Sequence, residues 1–310
     1  MIRLDSTDAL ASLVRPAVLA IGVFDGVHLG HRAVLGRALE SARACGAAAV
    51  AVTFDPHPAA VLRPESAPPL LTRTPHKLEL FAAAGFTHAL VLRFDAELAA
   101  TAPQDFLESL RAPCRPLVEM VVGCGWTFGK DRAGTVGLMR AAGARDGYRV
   151  TEIASIESGG RPVSSTRIRD AIRAGDLDLA ASLLDRPHEL RGTVLRGKAL
   201  GRTIGFPTAN IPAAGLVLPP DGVYAATVRA GSLARPAAVN IGTRPTIGDQ
   251  TGRTVEAHLL DFTGDLYDRE IAIVLHRFLR PEQRFDSLAD LTARIARDCE
   301  LVRESVILTN

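Results

Sequence analysis

The chain has 310 residues, of which 47% are apolar and 23% charged, and this length and composition are typical of a globular protein with two domains. Its formal net charge of +2 is too small to indicate nucleic acid as a partner. The four cysteines show no CxxC spacing and no apolar run can span a bilayer, so we expect no zinc site, no disulfide framework and a cytoplasmic protein without a membrane segment.

The first half of the chain alternates short apolar segments with amphipathic ones, which predicts alternating strands and helices. The predicted strands cover residues 17–23, 47–54, 88–94, 117–123 and 149–156. The predicted helices cover residues 31–44, 76–84, 103–111 and 135–146. Units of this size predict a Rossmann-like α/β domain, in which a parallel sheet carries helices on both faces and ligands gather at the carboxyl ends of the strands.

The stretch GVFDGVHLGH, from Gly22 to His31, forms the predicted turn from the first strand into the first helix. His28 and His31 are three residues apart, which places both imidazoles on one face of the first helical turn, where the helix N-terminus attracts anions. Gly30 between them lets a ligand approach the backbone. This arrangement suits transfer of a nucleotidyl group. The alternative is a glycine-rich turn with two solvated histidines.

Two further loops follow predicted strands and carry polar side chains. Asp55 and His57 lie in TFDPHP after the second strand, where two prolines stiffen the chain. After residue 156, the sequence SSTRIR offers N-cap hydroxyls and Arg169, which together can bind phosphate oxygens. A proline-rich turn and an ordinary capped helix remain the alternatives for these two segments.

The second half of the chain changes pattern after residue 186, where strands follow one another without helices between them. Predicted strands cover residues 189–197, 222–230, 235–242, 254–262 and 269–280. A final helix over residues 287–305 is apolar at Leu288, Leu291, Ile295 and Cys299. We therefore predict a small antiparallel β-barrel with a helix packed on its outside, and two domains, 1–186 and 187–310.

The barrel half contains the segment GRTIGFPTAN, residues 201–210. Its two short oxygen-bearing side chains, Thr208 and Asn210, suit Mg²⁺ and phosphate. In the strand 254–262, alternation places Glu256 and His258 on one face, so that Glu256 can point inward beside the metal and act as a base. The alternatives are that the segment 201–210 is a turn without a binding role and that Glu256 is an ordinary surface glutamate.

The stretch GVFDGVHLGH resembles the HxGH signature of the nucleotidyltransferase superfamily, and its fuller form is similar to that of the bacterial bifunctional riboflavin kinase/FAD synthetases. TFDPHP, SSTRIR and PTAN also match family motifs in family order. The resemblance implies phosphorylation of riboflavin to FMN in the C-terminal domain, adenylylation of FMN to FAD in the N-terminal domain, Mg²⁺ as cofactor, and ATP, riboflavin and FMN as substrates. It leaves the oligomeric state open, with a homo-oligomer possible.

By the same resemblance, individual residues receive roles. The catalytic residues are Glu256, His28 and His31, and the metal ligands are Thr208 and Asn210. ATP and its phosphates are assigned to Gly22, Phe24, Asp25, Gly30, Ser165, Thr166, Arg169, Gly201, Gly205 and Pro207. The flavin is assigned to Asp55, His57, Trp126 and Phe128, and the family-like segments NIGTRPT (240–246) and PPDGVYAATV (219–228) are assigned to loops around flavin and nucleotide.

One segment departs from the family pattern. Where family members typically have GxDFxFG or GxNFxFG, this chain has GCGWTFG, with Gly125 in place of the carboxylate or amide and Trp126 in place of the phenylalanine. One alternative is therefore a riboflavin kinase whose N-terminal domain is weak or uses another acceptor. A second alternative is a flavin-binding regulator without catalysis, against which the intact His28, His31, Asn210 and Glu256 argue.

Overall fold

The computed structural model describes residues 1–196, 200–243 and 252–306. The chain divides into two compact units, Met1–Ser165 and Thr166–Asn310, each of which has its own apolar core.

The first unit contains ten strands, six of which form one parallel sheet and four of which form two antiparallel pairs of two-residue strands. The strands are β1 (Ile2–Leu4), β2 (Ala17–Ile21), β3 (Ala48–Asp55), β4 (His88–Arg93), β5 (Leu117–Gly123), β6 (Thr127–Phe128), β7 (Gly134–Thr135), β8 (Arg149–Ile153), β9 (Glu157–Ser158) and β10 (Arg161–Pro162). The helices are α1 (Leu29–Ala44), α2 (Pro58–Leu62), α3 (Thr74–Ala84), α4 (Ala96–Ala100), α5 (Pro103–Arg111) and α6 (Val136–Asp146), and α7 (Ser165–Arg173) begins at the last residue of the unit.

Six of these strands form one parallel sheet in the order β1-β4-β3-β2-β5-β8, as predicted for a Rossmann-like domain. The central strand β2 is buried along its whole length because its side chains enter an apolar core on each face of the sheet. The strand order reverses between β2 and β5, and in such sheets ligands bind at this point, beyond the carboxyl ends of the strands. The segments that follow β2 and β5 therefore lie where a substrate is expected.

The second unit contains the helices α8 (Leu177–Leu184), α9 (Leu200–Thr203) and α10 (Leu288–Ser305). Its strands are β11 (Glu189–Thr193), β12 (Ala209–Ile211), β13 (Gly222–Ala230), β14 (Leu233–Thr243), β15 (Arg253–Leu259) and β16 (Glu270–Arg280). They form an antiparallel sheet in the order β11-β16-β13-β14-β15-β12, and an antiparallel bridge from Leu195 to Asn210 nearly closes it. The predicted barrel with a C-terminal helix is confirmed.

The barrel has an apolar interior, and α10 packs on its outer face. Val255 and Ala257 of β15 point into the interior, while Cys299 and Val302 of α10 contact the outer face. The predicted packing of Leu288 is wrong, since 68% of this residue is exposed and the helix meets the barrel only further along its length. Residues 197 and 244–246, at the ends of two segments singled out in the sequence, lie outside the described residues.

Candidate active sites

A cavity of about 680 Å³ opens in the first unit beyond the carboxyl ends of β2 and β5. The predicted site residues that line it are Gly22, Phe24, His28, Gly30, His31, His57, Trp126, Phe128 and Ser165. The sequence therefore identifies nine of the lining residues, drawn from four separate segments of the chain.

The two histidines lie side by side at the start of α1. His28 is the N-cap residue of this helix, and its Nδ1 accepts a hydrogen bond from the backbone N–H of His31 at 3.4 Å. The two imidazoles stack with their centroids 3.6 Å apart. A Cβ added at Gly30 would lie only 3.2 Å from Cε1 of His28, so a side chain there would crowd the ring. The spacing of the HxGH motif thus presents two stacked rings at a helix N-terminus, which attracts anions.

The turn before these histidines has an unusual backbone. Phe24 and Val27 both have positive φ angles, 53° and 42°, a region that residues other than glycine rarely adopt and that is least favourable for a β-branched residue. The Asp25 carboxylate is buried and accepts hydrogen bonds from the backbone N–H groups of Leu71 (3.0 Å) and Thr72 (2.9 Å). Asp25 does not line the cavity, and its contacts instead hold the turn in place.

The second predicted loop contributes one of its two polar side chains. His57 lines the cavity and caps α2, since its Nδ1 accepts a hydrogen bond from the backbone N–H of Ala59 at 3.1 Å. Asp55 is exposed at the end of β3 and does not line the cavity.

Five aromatic side chains also line this cavity. Trp126 and Phe128 stack with centroids 4.7 Å apart, and Phe106 from α5 lies 5.7 Å from Phe128. Phe54 and Phe94, at the ends of two adjacent strands, make an edge-to-face pair at 5.9 Å. None of these last three rings is among the predicted site residues, although phenylalanine at the carboxyl end of a central strand is a signal that could have found Phe54 and Phe94. Flat, apolar walls of this kind suit a fused aromatic ring system.

The segment GCGWTFG is held from the neighbouring strand β8. The backbone N–H of Gly125 donates to Oε1 of Glu152 at 3.2 Å, and Oε2 of the same carboxylate pairs with Arg140 at 2.9 Å. Gly125 has a φ of 66°, and no other described heavy atom lies within 4 Å of the position that its Cβ would occupy. A side chain at this position would therefore find open space.

Of the three predicted residues of the SSTRIR segment, only Ser165 lines the cavity of the first unit. The Ser165 hydroxyl lines the cavity and donates to the backbone carbonyl of Asp25 at 2.9 Å, which joins the start of α7 to the turn after β2. Thr166 and Arg169 lie one and four residues further along α7, in the second unit, and Arg169 is buried.

A second cavity, of about 1020 Å³, lies in the second unit between the outer face of the barrel and α10. Of the predicted residues, Gly201, Thr208, Asn210 and Glu256 line it, and Gly205 and Pro207 do not. The side chain of His258 contributes to the same wall, and its Nδ1 lies 2.8 Å from the Pro207 carbonyl oxygen.

Three polar residues face one another across three adjacent strands in this cavity. Glu256 of β15 is in register with Asn210 of β12 on one side and with Asn240 of β14 on the other. The predicted alternation along β15 is correct, but the expectation that Glu256 points inward is wrong for the barrel. The interior is filled by Val255 and Ala257, so Glu256 projects from the outer face into the cavity beneath α10.

On the far wall of this cavity, the sequence motifs point only to the start of the segment 240–246, where Asn240 lies on β14 and not in a loop. Asn240 donates to Oε1 of Glu282 at 2.9 Å, and Glu282 lies against Gly242, where even a Cβ would clash with its carboxylate. Arg280 makes a two-pronged, nearly buried ion pair with Asp298 of α10, at 2.8–3.1 Å. Asn240 and Gly242 lie on β14, Arg280 ends β16, Glu282 follows it and Asp298 lies on α10. Their convergence depends on the strand register rather than on a local motif.

Comparison with known proteins identifies a family for each half of the chain. The family model for FAD synthetase matches residues 11–167, and that for riboflavin kinase matches residues 184–306. The bifunctional riboflavin kinase/FMN adenylyltransferase of Escherichia coli (strain K12) is 42% identical over 293 residues, covering 94% of this chain and 93% of the relative. The protein of the same description from Pseudomonas fluorescens is 38% identical over 289 residues, with 93% of each chain covered.

A solved structure from Streptococcus pneumoniae, described as a macrolide-efflux protein, superposes with a TM-score of 0.82 at 27% identity and covers 97% of this chain and 98% of that one. Among residues 1–196, 200–243 and 252–306, no helix has the length and apolar character needed to cross a membrane. The match to the FAD synthetase model does not favour the alternative in which the N-terminal domain uses another acceptor.

Proposed function

The chain belongs to the family of bifunctional riboflavin kinase/FMN adenylyltransferases, and we propose that its two cavities divide the two reactions between them. The protein phosphorylates riboflavin to FMN with ATP and adenylylates FMN to FAD with release of pyrophosphate. In this proposal the cavity of the first unit carries out adenylylation and the cavity of the second unit carries out phosphorylation.

In the first unit, a phosphate oxygen of FMN attacks the α-phosphorus of ATP, and the bond from that phosphorus to pyrophosphate breaks. His28 and His31 stabilise the negative charge that builds up on the α-phosphate, since hydrogen-bond donors held in place before the reaction are worth most in the transition state. The stacked rings at the N-terminus of α1 support this assignment.

The other residues assigned to adenylylation bind and orient the two substrates. Gly22, Phe24 and Gly30 leave room for ATP against the backbone, and Ser165 binds the outer phosphates and the leaving pyrophosphate. The family resemblance assigns the same role to Thr166 and Arg169, which belong to the second unit. Asp25 acts through the turn that it holds. The isoalloxazine ring of FMN lies against Trp126 and Phe128, while His57 approaches its polar edge or its phosphate. Asp55 lies outside the cavity, and only the family resemblance assigns it to the flavin. The aromatic wall supports the flavin assignment.

In the second unit, the ribityl 5′-hydroxyl of riboflavin attacks the γ-phosphorus of ATP, and ADP leaves. Glu256 accepts the proton of that hydroxyl. The single observation that supports this role is the register of Asn210, Glu256 and Asn240 across three strands, which places the carboxylate in the cavity beside the PTAN segment. Gly201, Gly205 and Pro207 shape the loop that receives the ATP phosphates.

Mg²⁺ fits this second site because Thr208, Asn210 and Glu256 offer oxygen donors, which this ion prefers. Within the part of the chain that the structure describes, no group of three or more His, Cys, Asp or Glu residues could hold a metal by itself. We propose that Thr208 and Asn210 hold the ion together with the ATP phosphates, as is usual for Mg²⁺ in kinases. When bound, it neutralises charge on the transferred phosphoryl group.

We place the boundary between the adenylyltransferase and kinase domains at residue 186, just before β11 begins the barrel at Glu189. The matches of two separate family models support a two-domain division. We also propose that the protein acts in the cytoplasm, where its four free thiols would stay reduced, and that a homo-oligomer is compatible with its function.

A chromatographic time course with riboflavin, ATP and Mg²⁺, with FMN and FAD measured separately, tests this division. The parent protein is expected to form FMN first and FAD later. His31→Asn should stop the sequence at FMN, whereas His88→Asn, a matched change in a half-buried histidine at the start of β4, should leave both steps intact. Normal FAD formation by His31→Asn would contradict the assignment of the first cavity.

A further inference from the structure

A lysine is buried behind the turn that carries the two histidines. Lys77 lies on α3 and is only 4% exposed. Its Nζ donates to the backbone carbonyl of Val23 at 2.8 Å and to Oγ1 of Thr53 at 3.2 Å. The Thr53 hydroxyl, which is also buried, donates to the same carbonyl at 2.9 Å. Two donors therefore converge on one backbone oxygen immediately before the strained residues of the turn.

A lysine is rarely buried this deeply, because removing its ammonium from water is costly. Burial lowers the pKa of Lys77 to about 8, although the nearby Asp25 and Asp55 carboxylates act in the opposite direction. Neither Lys77 nor Thr53 lines the cavity, and both side chains are buried behind the turn.

The same helix supports the turn at a second point. Phe81, one helical turn after Lys77, makes an edge-to-face contact with Phe24 at 5.5 Å, and Phe24 in turn contacts the ring of His31 at 5.3 Å. Thus α3 holds the turn through one polar contact at Val23 and one aromatic contact at Phe24. A positive φ angle at a non-glycine residue persists only where surrounding contacts fix the backbone. The contacts from α3 are made at Phe24, which has such an angle, and at Val23 immediately before it.

We propose that Lys77 is a positioning residue for adenylyl transfer: with Thr53 it fixes the Val23 carbonyl and so keeps the turn from Phe24 to Val27 in the shape that places His28 and His31 at the cavity. This inference rests on the proposed role of the two histidines. Its consequence is that loss of the ammonium impairs the chemical step without removing any group that touches a substrate.

The test uses Lys77→Met, which keeps most of the side-chain volume, and Thr53→Val, which replaces a hydroxyl by a methyl group of similar size. Since small displacements of catalytic groups can reduce rates up to about a hundredfold, we expect each variant to lose about tenfold or more in kcat for FAD formation from FMN. Riboflavin phosphorylation by the same preparation should stay within about twofold, and Thr53→Ser should restore most of the activity lost in Thr53→Val.

Two controls distinguish positioning from loss of the fold. Trp126 is the only tryptophan of the chain and lines the cavity, so its fluorescence reports on the folded first unit. An unchanged emission spectrum and an unfolding midpoint at or above that of the parent in Lys77→Met, together with the loss of kcat, would support the proposal. Arg43→Met, which removes one positive charge from an exposed position at the end of α1, should change nothing.

Adenylyl transfer that stays within about twofold of the parent in both Lys77→Met and Thr53→Val would overturn the proposal, as would a loss that only follows unfolding in both. His28→Asn and His31→Asn, measured alongside, separate this outcome from failure of the underlying assignment. If the histidine variants are inactive and the Lys77 and Thr53 variants are active, only the positioning role is wrong. If the histidine variants are active, the assignment of the site itself is wrong.

Discussion

Asn210 and Glu256 are paired in register on adjacent strands of the barrel, so that an amide and a carboxylate face the same cavity from neighbouring positions. The PTAN loop and the central part of β15 are nearly fifty residues apart in the chain. The antiparallel pairing of β12 with β15 brings them together, and the apolar interior on the other side of the sheet prevents Glu256 from turning away.

This pairing predicts that the Glu256 carboxylate serves phosphorylation alone. Glu256→Gln keeps the shape of the side chain but removes the group that accepts a proton, and loss of a general base typically costs about 10²–10⁴-fold in rate. We therefore expect riboflavin phosphorylation to fall in that range, while FAD formation from added FMN continues at the parent rate.

Chromatographic assays of the two half-reactions check this prediction. Glu270→Gln, the same substitution at an exposed position at the start of β16, serves as the control and should leave both rates unchanged. Phosphorylation by Glu256→Gln at more than about a tenth of the parent rate would argue that another group accepts the proton.

A second prediction concerns the stability of the first unit. Glu119 of β5 is completely buried, and its carboxylate accepts hydrogen bonds from Thr151 (2.6 Å) and Arg149 (2.9 Å). Burial alone would raise the pKa of Glu119, but these hydrogen bonds and the arginine charge hold it below its ordinary value. A carboxyl whose pKa is lower in the folded state stabilises the protein above its ordinary pKa, and the effect is lost as the pH falls through the folded value.

Glu119→Gln should therefore destabilise the first unit by about 1–3 kcal/mol at pH 7, with a smaller difference below about pH 4. Urea unfolding followed by Trp126 fluorescence at several pH values measures this. Glu65→Gln, at an exposed position, is the matched control. A difference between Glu119→Gln and the parent that is the same at pH 7 and at pH 4 would contradict the proposed origin of the stabilisation.

A third prediction separates the stability effect of Lys77 from its positioning role. Because burial lowers the pKa of Lys77 to about 8, the unfolded chain binds this proton more tightly than the folded one. Burial of the charged ammonium thus lowers the free energy of unfolding by about 3 kcal/mol at neutral pH. This destabilisation is lost as the pH rises above the pKa of Lys77 in the folded protein. Lys77→Met should be at least as stable as the parent at pH 7, with the advantage shrinking toward pH 10.

Urea unfolding of both proteins at pH 7 and pH 10, followed by Trp126 fluorescence, provides the measurement. Arg43→Met should show no comparable change with pH, because arginine does not titrate in this range. If Lys77→Met were less stable than the parent at pH 7, the result would mean that the hydrogen bonds of Lys77 to Val23 and Thr53 outweigh the cost of burying its charge.

The fold could be predicted where the pattern is long and regular. The apolar runs that became β2 to β5, and the alternation along β15, gave strands close to those observed because burial of both sheet faces, or of one barrel face, dictates these patterns. Short elements such as β1 and β12 have three residues each and carry too little pattern to be recognised.

Site residues could be predicted from the sequence only where they lie together in one local motif. His28 and His31 are fixed by one helical turn, so their spacing alone predicts that they are neighbours. Lys77 illustrates the opposite case. A single lysine among the apolar residues of an amphipathic helix indicates a side chain whose ammonium reaches solvent. Only the packing of α3 behind the turn after β2 shows that Lys77 is buried.

The last prediction concerns Gly125, where this chain departs from its relatives' motif. The position has a left-handed backbone that asparagine tolerates, faces open space and lines the first cavity beside Trp126. Gly125→Asn should therefore add a hydrogen-bonding group to a polar site, an effect of about 1–3 kcal/mol, and lower KM for FMN roughly tenfold. Steady-state kinetics of FAD formation measure this change.

Gly147→Asn is the matched control, since Gly147 also has a positive φ and open space around its Cβ position but lies at the end of α6, outside the cavity. Glu152→Ala should act in the opposite direction and raise KM for FMN, because it releases the backbone N–H of Gly125 from the carboxylate that Arg140 holds in place. An unchanged KM in Gly125→Asn, equal to that of Gly147→Asn, would mean that a side chain at this position does not contact FMN.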